Sequence, residues 1–159
     1  MGIREPLAEI AAECSLPRAL EAMGERWSFL ILRAAFNGLK HFEEIQSNLG
    51  IARNILANRL GRLTDVGILT REPCPDDRRK IEYRLTEKGV DLLPTMIALR
   101  QWGEKWETGT PSNPVLVDTR DRCPIAPIRV FSHDGRALAW DDLCFVYREE
   151  EGSLRHAAE

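Results

Sequence analysis

The chain has 159 residues, of which 43% are apolar and 30% charged, and its formal net charge is −3. That length closes one well-buried core with a small appendage but is too short for two ordinary domains, and the apolar fraction excludes a wholly disordered chain. The apolar run around residues 29–36 is broken by Arg33 and residues 1–6 hold no hydrophobic signal core, so neither a spanning helix nor a secretory leader is expected, and the chain is assigned to the cytoplasm.

Apolar residues recur three or four apart along the first part of the chain, which predicts helices over 5–13, 16–24, 26–36, 41–48 and 52–65. Ser15 precedes Leu16-Pro17, a hydroxyl cap followed by an early proline, and Gly38 and Gly50 stand where left-handed residues end helices. After Gly67 the pattern turns β-like. Residues 68–72 and 81–85 flank a polar loop from Pro73 to Lys80, a hairpin with a basic tip. Thr86 caps a helix expected to reach about Thr108, with Leu92, Met96, Leu99 and Trp106 on one seam; Pro94 inside it predicts a kink or a restart. Residues 109–114 read as a linker and 115–117, 128–131 and 144–147 as short strands, ahead of an acidic tail expected to fray.

Charge is sorted along this plan. Residues 1–25 hold two Arg against five Glu, and residues 111–159 hold six Arg against nine acids, whereas 51–62 hold Arg53, Arg59 and Arg62 with no acid. Phosphate neutralisation needs only a local basic face, so a net negative chain can still bind DNA. The helical period of 52–65 turns Ile55, Leu56, Leu60 and Leu63 inward and leaves Ala52, Arg53, Asn54, Asn58, Arg59 and Arg62 on other faces. Arginine can fork onto guanine and asparagine onto adenine in the major groove, and a small residue such as Ala52 lets a helix N-terminus approach a phosphate. An ordinary solvated helix face accounts for this segment equally well on its own. At the hairpin tip, Arg78, Arg79 and Lys80 suit a narrow minor groove, with Asp77 orienting one arginine by a charge-assisted hydrogen bond. The expected fold is mainly α with a small β wing: a winged helix-turn-helix over residues 1–110 for DNA binding and dimerisation, and a β-rich extension over 111–159.

The sequence resembles the HxlR-type winged helix-turn-helix regulators over roughly residues 10–107. The resemblance is carried by Cys14, Leu20, Gly24, Arg26 and Trp27, by Ile31-Leu32-Arg33 and Gly38, and by Lys40 to Ile45. It continues through Leu56, Arg59-Leu60, Leu63, Gly67 and Arg71 to Glu82-Tyr83-Arg84-Leu85-Thr86 and Gly89. It implies a homodimer on double-stranded DNA, joined through terminal helices, that regulates transcription of a neighbouring unit. It also makes Cys14 the candidate redox sensor: a thiol at a helix start is activated by the amide dipoles, although Glu13 opposes thiolate formation and simple packing explains the residue as well.

The four cysteines are never closer than 21 positions, which excludes a zinc ribbon, and Cys123, His133 and Cys144 have no tetrahedral spacing, so no metal or cofactor is expected. Trp27, Trp102, Trp106 and Trp140 suit a core or dimer seam, or else the walls of a small-molecule effector pocket. No nucleophile elbow, phosphate loop or metal-spaced His/Glu pair marks an enzyme. The rival reading is a protein-interaction adaptor that uses the same fold without DNA.

Overall fold

A computed structural model describes residues 15–24 and 26–144 and the backbone of 146–148 and 154–156. The helix expected over 5–13 and the thiol of Cys14 lie outside the described residues. By contact density the chain divides into one unit spanning Arg18–Ile125 and a second comprising Met1–Pro17 with Ala126–Glu159.

The order begins helical: α1 (Ser15–Met23), α2 (Arg26–Phe36), α3 (Phe42–Leu49) and α4 (Arg53–Asp65), close to the spans that periodicity predicts. The core forms where their apolar stripes meet. Ile31 and Leu32 of α2, Ile45 of α3, and Leu56, Leu60 and Leu63 of α4 are at most 1% exposed. Each such side chain contributes about 1.5–3 kcal/mol through burial. The helix-turn-helix corner is cut by Gly50, whose φ of +60° continues past the end of α3 while its N–H bonds to the Gln46 carbonyl at 3.0 Å. Ile51, 3% exposed, then pins the corner to the core before α4 starts.

Strands β1 (Leu69–Pro73) and β2 (Ile81–Leu85) form the expected antiparallel wing, with Leu69 opposite Leu85 and Pro73 opposite Ile81. A third element completes it. The Tyr83 N–H bonds to the Lys40 carbonyl at 2.8 Å and His41 bridges Glu82, so the short chain ahead of α3 lies on the free edge of β2. Thr86 caps as expected, its hydroxyl oxygen accepting the Gly89 N–H at 3.1 Å, but the helix it starts is only α5 (Glu87–Val90). Pro94 cannot donate to the Val90 carbonyl, so the helix stops and restarts as α6 (Leu93–Gly103), continuing into a π-helical turn at Glu104–Thr108. The expected seam divides within α6. Leu92 and Met96 pack on the core, whereas Leu99 and Trp106 are exposed.

The extension holds less β-structure than the sequence suggests. Residues 115–117 and 128–131 are not strands but reach only single bridges, Val117 to Pro124 and Phe131 to Ala137. Pro114, Pro124 and Pro127 lack the N–H groups a ladder would need. The strand expected at 144–147 appears as β3 (Val146–Arg148), and its partner β4 (Leu154–His156) comes from the tail expected to fray.

Gly89 is the most closely packed of the described glycines. A Cβ added there would stand 2.4 Å from the backbone oxygen of Ile68, so α5 reaches the base of the wing only because this residue has no side chain. Gly89→Ala should therefore lower stability by roughly 1–3 kcal/mol in chemical denaturation. Gly103→Ala, with nothing within 4 Å of its Cβ, should hold or raise it. Equal stability of the two variants would contradict this packing.

Candidate nucleic-acid interface

The turns of α4 sort its side chains into three directions. Leu56, Leu60 and Leu63 enter the core, while Asn54, Ala57, Asn58 and Gly61 share the exposed outer stripe with the N-cap residue Ala52 beside its start. Sequence reasoning missed Ala57 and Gly61, whose signal is their i+3 and i+7 spacing from Asn54; their small size would let a partner approach the backbone. Ala52 provides no side-chain cap, which leaves the first N–H groups of α4 without a partner from that residue.

The three arginines of α4 do different things. Arg53 reaches along the surface to α3, where its guanidinium stands 4.7 Å over the ring of Phe42 and 3.9 Å from the Glu43 carboxylate. Arg59 and Arg62 instead lean to the opposite flank and are half-buried. Arg62 donates to the backbone carbonyl of Glu21 near the end of α1, and an Arg59 guanidinium nitrogen lies 3.5 Å from where a Cβ on Gly24 would stand.

At the wing tip Arg78, Arg79 and Lys80 are all exposed. Asp77 holds Arg79 as expected, its Oδ1 accepting both the backbone N–H and Nε at 3.1 Å. Those two bonds draw the Asp77 carboxyl below the ordinary carboxylate range, the side-chain bond being the larger cause. The Arg79 side chain is 91% exposed at the tip.

Beneath the tip lies a charged cluster that the sequence did not disclose. Glu82 is 3% exposed, yet Lys40 Nζ approaches its Oε1 at 3.0 Å, and the Cys74 thiol donates to the same oxygen at 3.6 Å. Arg84 forks onto Oε2, with Nε at 2.8 Å. His41 is half-buried; its Nδ1 donates to the Ile81 carbonyl at 3.2 Å and its Nε2 lies 3.8 Å from Glu82. The hydrogen bond from Lys40 lowers the Glu82 pKa most, burial opposes it, and Arg84 lowers it further, for a value of about 2. Among the described residues no group of three His, Cys, Asp or Glu is placed to hold a metal, and no helix is long and apolar enough to cross a membrane.

A corner cut at Gly50, an exposed helix face and a three-part wing are the parts of a winged helix-turn-helix, and residues 22–110 match the HxlR-like helix-turn-helix family. The chain belongs to that family. Rv3095 of Mycobacterium tuberculosis (strain ATCC 25618 / H37Rv), named as an uncharacterized HTH-type transcriptional regulator, is 48% identical over 92 residues, or 58% of this chain. The HxlR-like chain spans 58% of the length of that relative. The crystal structure of PA1607, proposed to be a transcription factor, superposes with a TM-score of 0.78 at 39% identity, covering 86% of this chain and 96% of that one. The reduced form of the redox regulator HypR gives 0.51 at 28% identity over 58% of this chain and 92% of its own. The relatives at this similarity are named as HTH-type transcriptional regulators.

The Glu82 cluster makes stability depend on acid. A carboxylate whose folded pKa is depressed contributes stability above its unfolded pKa and loses it as pH falls through the folded value. The window for Glu82 therefore runs from about pH 4.5 down to about pH 2. Thermal melts should show the wild type losing more stability across that window than Glu82→Gln, which keeps the shape but not the charge. Parallel pH profiles would contradict the depressed carboxyl.

Proposed function

We propose that the chain is a homodimeric, sequence-specific DNA-binding transcriptional regulator acting in the cytoplasm, with the outer stripe of α4 in the major groove and the wing tip against the adjacent minor groove. The observation that carries this is the exposure of Arg53, Asn54 and Asn58 on one helix together with Arg78, Arg79 and Lys80 on the hairpin that follows it. Asn54, Asn58 and Arg53 are assigned to base edges or the adjoining phosphates, Ala52 to close approach of the helix start, and the tip cations to groove and phosphate. Arg59 and Arg62 are assigned to bracing α4 against α1, since both lean that way.

Dimerisation is supported by apolar surface that α6 leaves uncovered: Leu93, Leu99, Trp102 and Trp106 are exposed, the last at 65%. Patches of this kind on a small unit mark an interaction face. A two-fold pair would set two α4 helices about 34 Å apart and read a palindrome. Residues 1–110 would then carry DNA binding and dimerisation, with 111–159 appended. A small-molecule input has a cavity of about 140 Å³ between the last turns of α6 and residues 111–125, walled by Ile97, Leu116 and Ile125 with Arg100 and Glu104 at its polar side. A redox input is assigned to Cys14 on the strength of the family resemblance and of HypR, a redox regulator.

Selection from random duplexes followed by binding across a salt series tests the proposal. Affinity should fall steeply with salt. Arg53→Ala or Asn54→Ala should cost about 1–3 kcal/mol and relax base preference, whereas Arg79→Ala should weaken every duplex alike and flatten the salt slope by about one. A folded dimer that binds no duplex at low salt would establish the adaptor reading instead, and a monomer in sedimentation at micromolar concentration would remove the dimer.

A further inference from the structure

We infer that Glu43 is a specificity-determining residue that competes with DNA phosphate for Arg53 and so suppresses binding to non-cognate duplex. The inference rests on α4 being the reading helix. Arg53 occupies the first turn of α4 but does not project freely from it, because its guanidinium lies over the Phe42 ring at 4.7 Å and beside the Glu43 carboxylate at 3.9 Å. Phe42 and Glu43 belong to the first turn of α3, so both holding groups sit across the helix-turn-helix corner from the arginine.

Three features give the pair a role in recognition. First, it lies in solvent: the Arg53 and Glu43 side chains are 69% and 75% exposed, and an exposed ion pair adds little to folding. Second, Glu43 is not taken up in capping. Glu44 does that work, its Oε2 accepting the His41 N–H at 3.2 Å and the Lys40 N–H at 3.4 Å. Third, the partner is an arginine whose guanidinium is held over an aromatic ring, and a guanidinium is the group that meets a guanine edge or a phosphate in a fork.

A carboxylate beside that guanidinium acts unequally on different duplexes. Non-cognate binding is built almost wholly from phosphate neutralisation, so a phosphate must either displace Glu43 from Arg53 or lie beside an uncompensated carboxylate. A cognate base edge returns a bidentate contact to the released guanidinium, which offsets the loss of Glu43. Glu43 therefore lowers non-cognate affinity more than cognate affinity. Phe42 is the positioning residue that keeps the guanidinium within the carboxylate's reach.

The test is a double-mutant cycle of Glu43→Gln and Arg53→Ala in the full chain, with affinity measured for the duplex selected by the wild type and for a random-sequence duplex across a salt series. Glu43→Gln should raise random-duplex affinity about three- to tenfold and steepen the dependence of log affinity on log salt by about one, with a smaller gain on the selected duplex. In the Arg53→Ala background the same change should move either affinity by less than about twofold. Equal gains on both duplexes, or an undiminished gain without Arg53, would make Glu43 a general repulsive charge and overturn the inference alone. A wild-type chain that binds neither duplex at low salt would overturn the reading of α4 together with it.

Discussion

The wing is held to the helical body through one buried carboxylate. Glu82 lies on β2, but one of its partners, Lys40, belongs to the chain entering α3, and Arg84 and Cys74 close around it from the wing itself. A charge in that position is costly unless its oxygens are satisfied, and removing one partner of such a pair commonly costs far more than the pair contributes. The linkage is repeated by the Tyr83 N–H bond to the Lys40 carbonyl and by the His41 ring on the Ile81 carbonyl. Wing and helix-turn-helix are thereby one body, and the hairpin tip has a fixed base to extend from.

The same economy governs α4, where one helix divides its surface among the core, a brace and an outer stripe. Its C-terminal end is tied as firmly as its flank: the Lys88 ammonium donates to the Val66 carbonyl at 2.7 Å, and the Thr86 hydroxyl to that of Gly67. A basic group at these last carbonyls also suits the helix dipole. The helix is thus fixed along its inner side and at its end, and the small residues Ala57 and Gly61 leave the outer stripe low.

Much of this was legible in the sequence because the responsible forces are local. Helical period, the glycines after α2 and α3, and Thr86 each act within a turn or two of chain, and they located α1 to α4 and the wing. Pro94 announced a break, placed at Val90 by the carbonyl that proline cannot bond. The positions of Arg59 and Arg62 were not legible, because both stand at the margin of the buried stripe and only the presence of α1 decides which way they lean. His41 escaped for a related reason: its partners, Ile81 and Glu82, are some forty residues away. The short strands at 115–117 and 128–131 looked sound by residue type alone, but pairing depends on donors that the neighbouring prolines remove.

The pinned base of the hairpin also bears on how the fold can vary. Register between β1 and β2 is set below the tip, by Glu82 and by the edge contact with Lys40 and His41, and the loop of residues 75–79 is closed by the Cys74 N–H bond to the Lys80 carbonyl and a turn at Asp77. Lengthening or recomposing that loop leaves every cross-strand partner where it was. Because loop closure grows costlier only slowly with length, the reach of the tip can be retuned by insertion or deletion without reworking the body that carries it.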